Sequence, residues 1–318
     1  MLPSVIFGCA GAYVPITGTA LIRDRAEGFF MGYGLALAGG GTRGAAHVGV
    51  FKALVEAGLR PDAVAGASAG GIVAGLIASG MPVSQMEQAV LHLEKHGGDY
   101  LDPDYSGLLA FMPQLLAGKG VSLSGLIKGD KLLDYFFQLT GRRHMDETVL
   151  TLVIPAVDLV SGNTICFTNS DQVREMERVT WEWNGYLCEA MMAGASVPAI
   201  FAPRKVGRYL LVDGGVTDIL PVNLLQAAGI RDVLAVDIAG DYEAPSDRSV
   251  MEVASHSFSI MSGRLKECAS AGEMLLLKPP LSPKAGLLTF EQMGGCMEQG
   301  YEYTRKMLPR IRKALNRM

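Results

Sequence analysis

Leu35–Gly58, LALAGGGTRGAAHVGVFKALVEAG, sets an apolar run of strand length ahead of a helix-like run, with a cluster of glycines between them. The spacing Gly39-x-Gly41-x-x-Gly44 fits a dinucleotide loop, in which phosphate rests on backbone N–H groups at a helix N-terminus. The same bare backbone can instead present its N–H groups to an oxyanion. The next strand–helix unit separates the two readings. A dinucleotide site needs an acidic residue at the end of the second strand. Asp62 precedes that strand, and what ends it is GASAG, Gly66–Gly70. Gly66, Ala67, Ser68, Ala69 and Gly70 form a G-x-S-x-G nucleophile elbow, whose small residues allow the sharp turn that lifts a serine above a sheet. Ser68 is therefore the candidate nucleophile. The plain alternative is a small-residue turn that only packs a helix on a sheet.

A serine acyl intermediate also needs donors for its negative oxygen, since removing one typically costs ~100- to 1,000-fold in rate. The amides of Gly40, Gly41 and Thr42, at the start of the helix, are placed to supply them. A base is the third requirement. In YLLVDGGVTDILPV, Tyr209–Val222, Asp213 ends an apolar strand, and Gly214 and Gly215 let another segment come close. Taken alone, an Asp before Gly-Gly more often caps a turn; the two upstream motifs give it weight.

Outward from these motifs, short apolar runs alternate with 3.6-period runs, the signature of an α/β fold. Strands are expected at 33–38, 63–66, 150–157, 209–212, 233–237 and 274–277. Helices are expected at 43–57, 69–79, 83–95, 130–139, 186–193, 221–228, 250–271 and 290–316. No linker-like stretch divides the chain, so residues 31–318 read as one domain, with a helical C-terminal part from 250 onward.

Composition excludes several classes. Of 318 residues, 49% are apolar and 19% charged, which is enough for a large core. A net charge of −4, without basic runs, gives no general attraction to nucleic acid. Cys9, Cys166, Cys188, Cys268 and Cys296 show neither CxxC nor Cys/His spacing, which points to a reducing, cytoplasmic setting. Residues 1–30 read as an N-terminal extension: with no charge before Arg23 the run suggests a signal peptide or membrane span, yet it lacks a basic start and is broken by Pro3, Gly8, Gly11, Pro15 and Gly18. The residues before Met31, AEGFF, can be encoded by a purine-rich stretch like a ribosome-binding site, so Met31 is a candidate translation start.

The sequence resembles the patatin-like phospholipase family, on GGGTRG (Gly39–Gly44), GASAG and DGG, in that order, with weaker likeness in ASVPAIFAP, LPVNLL and IPAVDLVSG. The resemblance implies a three-layer α/β/α sandwich with a mostly parallel sheet. It also implies a Ser68–Asp213 dyad and an oxyanion loop of Gly39, Gly40, Gly41, Thr42, Arg43 and Gly44, acting on a lipid acyl ester. A departure is Ala38, where many members carry a polar residue. Because a carboxylate near ~3.9 is a poor base at neutral pH, histidines are rivals. Ser68, Asp213 and His256 follow the chain order of an α/β-hydrolase triad. His256 also fits an ordinary place on an amphipathic helix, and His47 fits a packing or hydrogen-bonding role beside the loop.

Two stretches bear on substrate. GLLAFMPQLLAG, Gly107–Gly118, suits a lid or acyl-chain wall and equally a buried helix. The terminal run YTRKMLPRIRKALNR sets cations around an apolar stripe, fitting peripheral contact with anionic lipid or a solvated helix face. No cofactor or metal is expected, and oligomeric state is not legible. A soluble carboxylesterase or thioesterase, or a non-catalytic lipid-binding protein of the same fold, are the alternatives.

Overall fold

The computed structural model describes residues 32–104, 125–239, 249–269 and 272–316. The expectations for residues 1–30, for a start at Met31 and for the run at 107–118 lie outside them.

Nine strands among the described residues form one sheet: β1 Gly34–Leu37, β2 Ala63–Gly66, β3 Thr151–Asp158, β4 Thr164–Thr168, β5 Val179–Glu182, β6 Arg204–Val206, β7 Tyr209–Asp213, β8 Val233–Val236 and β9 Leu275–Leu277. The spine runs β5-β4-β3-β2-β1-β8-β9, with β7 also on β3 and β6 on β7. From β3 through β9 the spine is parallel, as is β4 with β5, whereas β3–β4, β3–β7 and β6–β7 are antiparallel. Strands β1, β2 and β8 are buried along their whole length, as expected for parallel strands covered on both faces.

The helices are α1 Ala45–Glu56, α2 Ala69–Ala78, α3 Val83–His96, α4 Asp130–Thr140, α5 Leu187–Gly194, α6 Val222–Ala227, α7 Val250–Ala269 and α8 Met293–Leu315. Register establishes the three layers. Residues paired across neighbouring strands point to one face, and successive residues point to opposite faces. A Cβ on Gly34 would meet Leu225 of α6 at 2.7 Å, while the Ile154 side chain lies against Gly71 of α2 and Gly194 of α5. Gly34 pairs with Ala63 and Ala63 with Thr151, three residues from Ile154. Ile154 therefore faces away from Gly34, with α2 and α5 above the sheet and α6 below it.

The expected elements are present with ends shifted by at most three residues, the expected end of the 250–271 helix lying outside the described residues. Strands β4, β5 and β6 were not expected. They are short, and β5 and β6 are only partly buried, so they carry little apolar signal.

Candidate active site

Strand β3 brings the two candidate residues together. Its first half pairs with β2 as far as Ala65↔Val153, and its second half pairs with β7 from Ala156↔Asp213 onward, on the edge that β2 has vacated. The two strands approach each other end to end along β3, separated by Ile154 and Pro155. Pro155, which has no N–H to donate, occupies the gap. Ser68, two residues beyond β2, and Asp213, the last residue of β7, therefore converge.

One turn fixes both. The Ser68 amide donates to the Gly194 carbonyl at 3.1 Å, and the Asp213 amide donates to the Ser196 carbonyl at 2.9 Å. Ser68 itself has φ 53° and ψ −129° at the N-cap of α2, a left-handed conformation costly for a side chain with a Cβ. The elbow's glycines allow it: a Cβ on Gly70 would run into the Leu37 carbonyl oxygen, and one on Gly66 into that of Gly70. A strained serine held by its surroundings at a strand–helix turn is the geometry that exposes a nucleophile.

Both side chains are buried, Ser68 at 4% and Asp213 at 0% exposure. Asp213 Oδ1 accepts the Gly215 amide at 2.7 Å, and buried Oδ2 meets no hydrogen-bond geometry among the described residues, although the Ser68 hydroxyl lies close enough to favour its charge. Burial pushes the Asp213 carboxyl up to about 7, opposed by the Ser68 hydroxyl and the Gly215 amide. That value removes the chemical objection to an aspartate base, because a proton acceptor works best when its pKa lies near the operating pH.

The glycine loop lies against the serine: a Cβ on Gly39 would stand 2.9 Å from that of Ser68. Its amides are not equivalent. Gly39 N–H donates to the Ile219 carbonyl at 3.0 Å and Thr42 N–H to the Gly286 carbonyl at 3.1 Å. Thr42 is thus not a ready oxyanion donor, because Gly286 takes both its amide and, at 2.8 Å, its hydroxyl. Among the described residues, the amides of Gly40, Gly41 and Ala69 have no acceptor. Nothing in the sequence links Gly286 to Thr42 across more than 240 positions. Burial raises the Cys296 thiol of α8, opposed by the positive charge of Arg43 in the helical turn Gly41–Gly44.

His47 pins the loop from behind. Its Nε2–H donates to the Ala38 carbonyl at 2.8 Å, and burial holds the ring at about 4, neutral at physiological pH. His256 pairs instead with Glu252, 2.9 Å away and one turn back along α7. Phe258 and Ser262 of α7 reach the Asp213 turn, the latter donating to the Gly215 carbonyl at 2.9 Å.

A cavity of about 140 Å³ begins at Ser68, Gly41 and Thr42 and runs between α2, α3 and α4. Among the described residues that line it, every side chain apart from Ser68, Thr42 and Tyr135 is apolar. A second buried acid, Asp218, is raised to about 7 by burial. No group of three or more His, Cys, Asp or Glu residues among those described could hold a metal. The apolar stripe of the basic C-terminal helix is occupied: Cys296, Gly300, Thr304, Ile311 and Leu315 of α8 are buried, and the helix packs along α1. Its outward side carries Arg305, Lys306, Arg310, Arg312 and Lys313 together with Glu298, and the buried stripe is not available to a lipid surface. Among the described residues no helix is long and apolar enough to cross a membrane.

Fold and geometry together define an α/β/α sandwich built around a nucleophile elbow. The sequence pattern of the patatin-like phospholipase family matches residues 35–225, more than half of the chain, and the chain belongs to that family. It is 27% identical over 219 residues to an uncharacterized NTE family protein of Mycobacterium bovis, covering 67% of this chain and 50% of that one. It is also 27% identical over 215 residues to lysophospholipase NTE1 of Cryptococcus neoformans var. neoformans, covering 67% of this chain and 12% of that one. The chain spans at most about half the length of these relatives. Among solved structures it is similar to VipD from Legionella pneumophila, at 14% identity and a TM-score of 0.44, over 88% of this chain and 67% of that one. Human GIVD cytosolic phospholipase A2 is similar at 14% identity and a TM-score of 0.40, over 89% and 58%.

Proposed function

We propose that the chain is a serine acyl hydrolase that cleaves phospholipid or other lipid acyl esters with a Ser68–Asp213 dyad, residues 31–318 forming its patatin-like domain. In this reading Ser68 Oγ attacks the acyl carbonyl carbon as its proton passes to Asp213. The oxyanion is held by the amides of Gly40 and Gly41. Collapse of the tetrahedral intermediate breaks the ester bond, and the departing alcohol takes the proton from Asp213. Water then attacks the acyl-serine, Asp213 accepts a proton from it, and the fatty acid leaves as Ser68 regains its hydrogen.

The observation that carries the reading is the strained, buried Ser68 beside a carboxyl raised to about 7, at the head of an apolar cavity. Membership of the family supports a lipid ester, as does the lysophospholipase named among the relatives. The outward cations of α8 support peripheral contact with a membrane from the cytoplasmic side. The test is fatty-acid release from phospholipid vesicles alongside hydrolysis of a short soluble ester, with Ser68→Ala as the blank. Vesicle activity that disappears with Ser68 is expected. Ser68-dependent activity on the soluble ester alone would make the protein an ordinary esterase, and silence on both would leave a lipid-binding protein.

A further inference from the structure

The apolar cavity is lined by three helices. Along α2 its lining residues are Ser68, Ile72, Val73 and Leu76, one stripe of the helix beginning at the serine. Along α3 they run from Met86 to Leu93, and along α4 from Leu132 to Leu139.

The connections show where these helices are tied together. Helices α2 and α3 are joined by the short turn 79–82, and the Met81 amide donates to the Leu76 carbonyl at 3.3 Å, so Met86 lies near Leu76. The chain leaving α4 returns to the same place, where the Val149 amide donates to the Ala78 carbonyl at 2.8 Å. At its other end, α3 reaches Phe290, whose ring a Cβ on Gly97 would strike, and Gly286 binds Thr42 beside the glycine loop. Tyr135, one turn before Leu139, stacks on His92 in the later half of α3, with ring centroids 5.6 Å apart. Helix α4 therefore runs from the serine end toward the turn between α2 and α3.

From this arrangement we infer that the cavity is a ruler for a single acyl chain, with Leu76, Met86 and Leu139 forming its stop. The inference rests on the acyl-hydrolase reading and names the selectivity of that same site. Eight residues of helix from Ser68 to Leu76 span about 12 Å, and an extended chain advances about 1.25 Å per methylene from its bond lengths and angles, so the cavity holds roughly eight to ten carbons. Within that length each added methylene is removed from water. Beyond it, the chain has to bend or withdraw.

The experiment measures kcat/KM for p-nitrophenyl esters with acyl chains of about four to about eighteen carbons, where each buried methylene is expected to raise the value about three- to fourfold. The rise is expected to stop near ten carbons. Leu76→Ala and Met86→Ala are each expected to move the break toward longer chains by about two carbons or more, since each deletes most of a side chain at the stop. A second measurement requires neither turnover nor an altered stop: thermal stabilisation of Ser68→Ala by free fatty acids of the same lengths, expected to peak near ten carbons. An unbroken rise to about sixteen carbons, with turnover dependent on Ser68, overturns the ruler and leaves the hydrolase standing. No Ser68-dependent turnover on any ester, together with a fatty-acid peak near ten carbons, overturns the hydrolase and retains the ruler. A flat stabilisation profile overturns the ruler in either case.

Discussion

In the proposed dyad, Asp213 couples catalysis to stability through one proton. Its folded-state pKa, about 7, lies above the ordinary carboxylate value, so the folded protein binds an extra proton between about 4 and about 7. The associated stability is present in acid and is lost as pH rises through that window. Asp218, raised to about 7 by burial, contributes with the same sign. His47, lowered to about 4, has the opposite sign, and its stability is lost as pH falls from about 6.5 toward 4. Two consequences follow for Asp213. In the wild type kcat/KM should fall about tenfold per pH unit below about 7, as expected for a base that must be ionised. Asp213→Asn should remove turnover and raise stability above pH 7 by on the order of 1–3 kcal/mol, read from denaturant midpoints, because it replaces a buried charge with a neutral group. A pH-independent rate, or a less stable Asn variant at pH 8, would contradict this account.

At the scale of elements, the close crossing of α1 and α8 shapes the mouth of the cavity. Gly49 faces the Met297 carbonyl and Gly300 faces the Ala46 carbonyl, so each helix lets the backbone of the other approach through a glycine. Gly300→Val should force the pair apart and cost about 1–3 kcal/mol by overpacking. It should also loosen Met293 and the segment bearing Phe290, both of which line the cavity. The checks are the thermal midpoint and KM for a long-chain ester; an unchanged midpoint would mean that the crossing does not constrain the helices. This scale also shows what the sequence reveals of the fold. Strands β1, β2 and β8 are continuous apolar runs and their helices are periodic, so they could be read directly. Strand β6, Arg204–Val206, is exposed or half-exposed and exists because β7 is there to pair with it, which no local pattern records. The same holds at the site. Ser68 and Asp213 stand in recognisable motifs, whereas the capture of the Thr42 amide by Gly286 depends on a tertiary contact.

For the whole molecule, the net charge of −4 conceals an uneven surface. Arg305, Lys306, Arg310, Arg312 and Lys313 are exposed on α8, while its apolar side is spent on α1. Adsorption to a bilayer through this face can only be electrostatic, at about 1 kcal/mol per cation near an anionic surface. Reversing Lys306, Arg310 and Lys313 to Glu should reduce co-sedimentation with anionic vesicles at low salt and leave hydrolysis of a short soluble ester intact. Binding that is indifferent to salt and to these charges would assign membrane contact to another surface. The end-to-end meeting of β2 and β7 on β3 also has a consequence in time. Ser68 leaves the ribosome almost 150 residues before Asp213. At about 5–20 residues per second the nascent chain spends roughly 7–30 seconds with an elbow and no base. On the proposed dyad, a chain assembled in this order stays chemically silent until Asp213 emerges, so a product stalled before that point carries the nucleophile without its base.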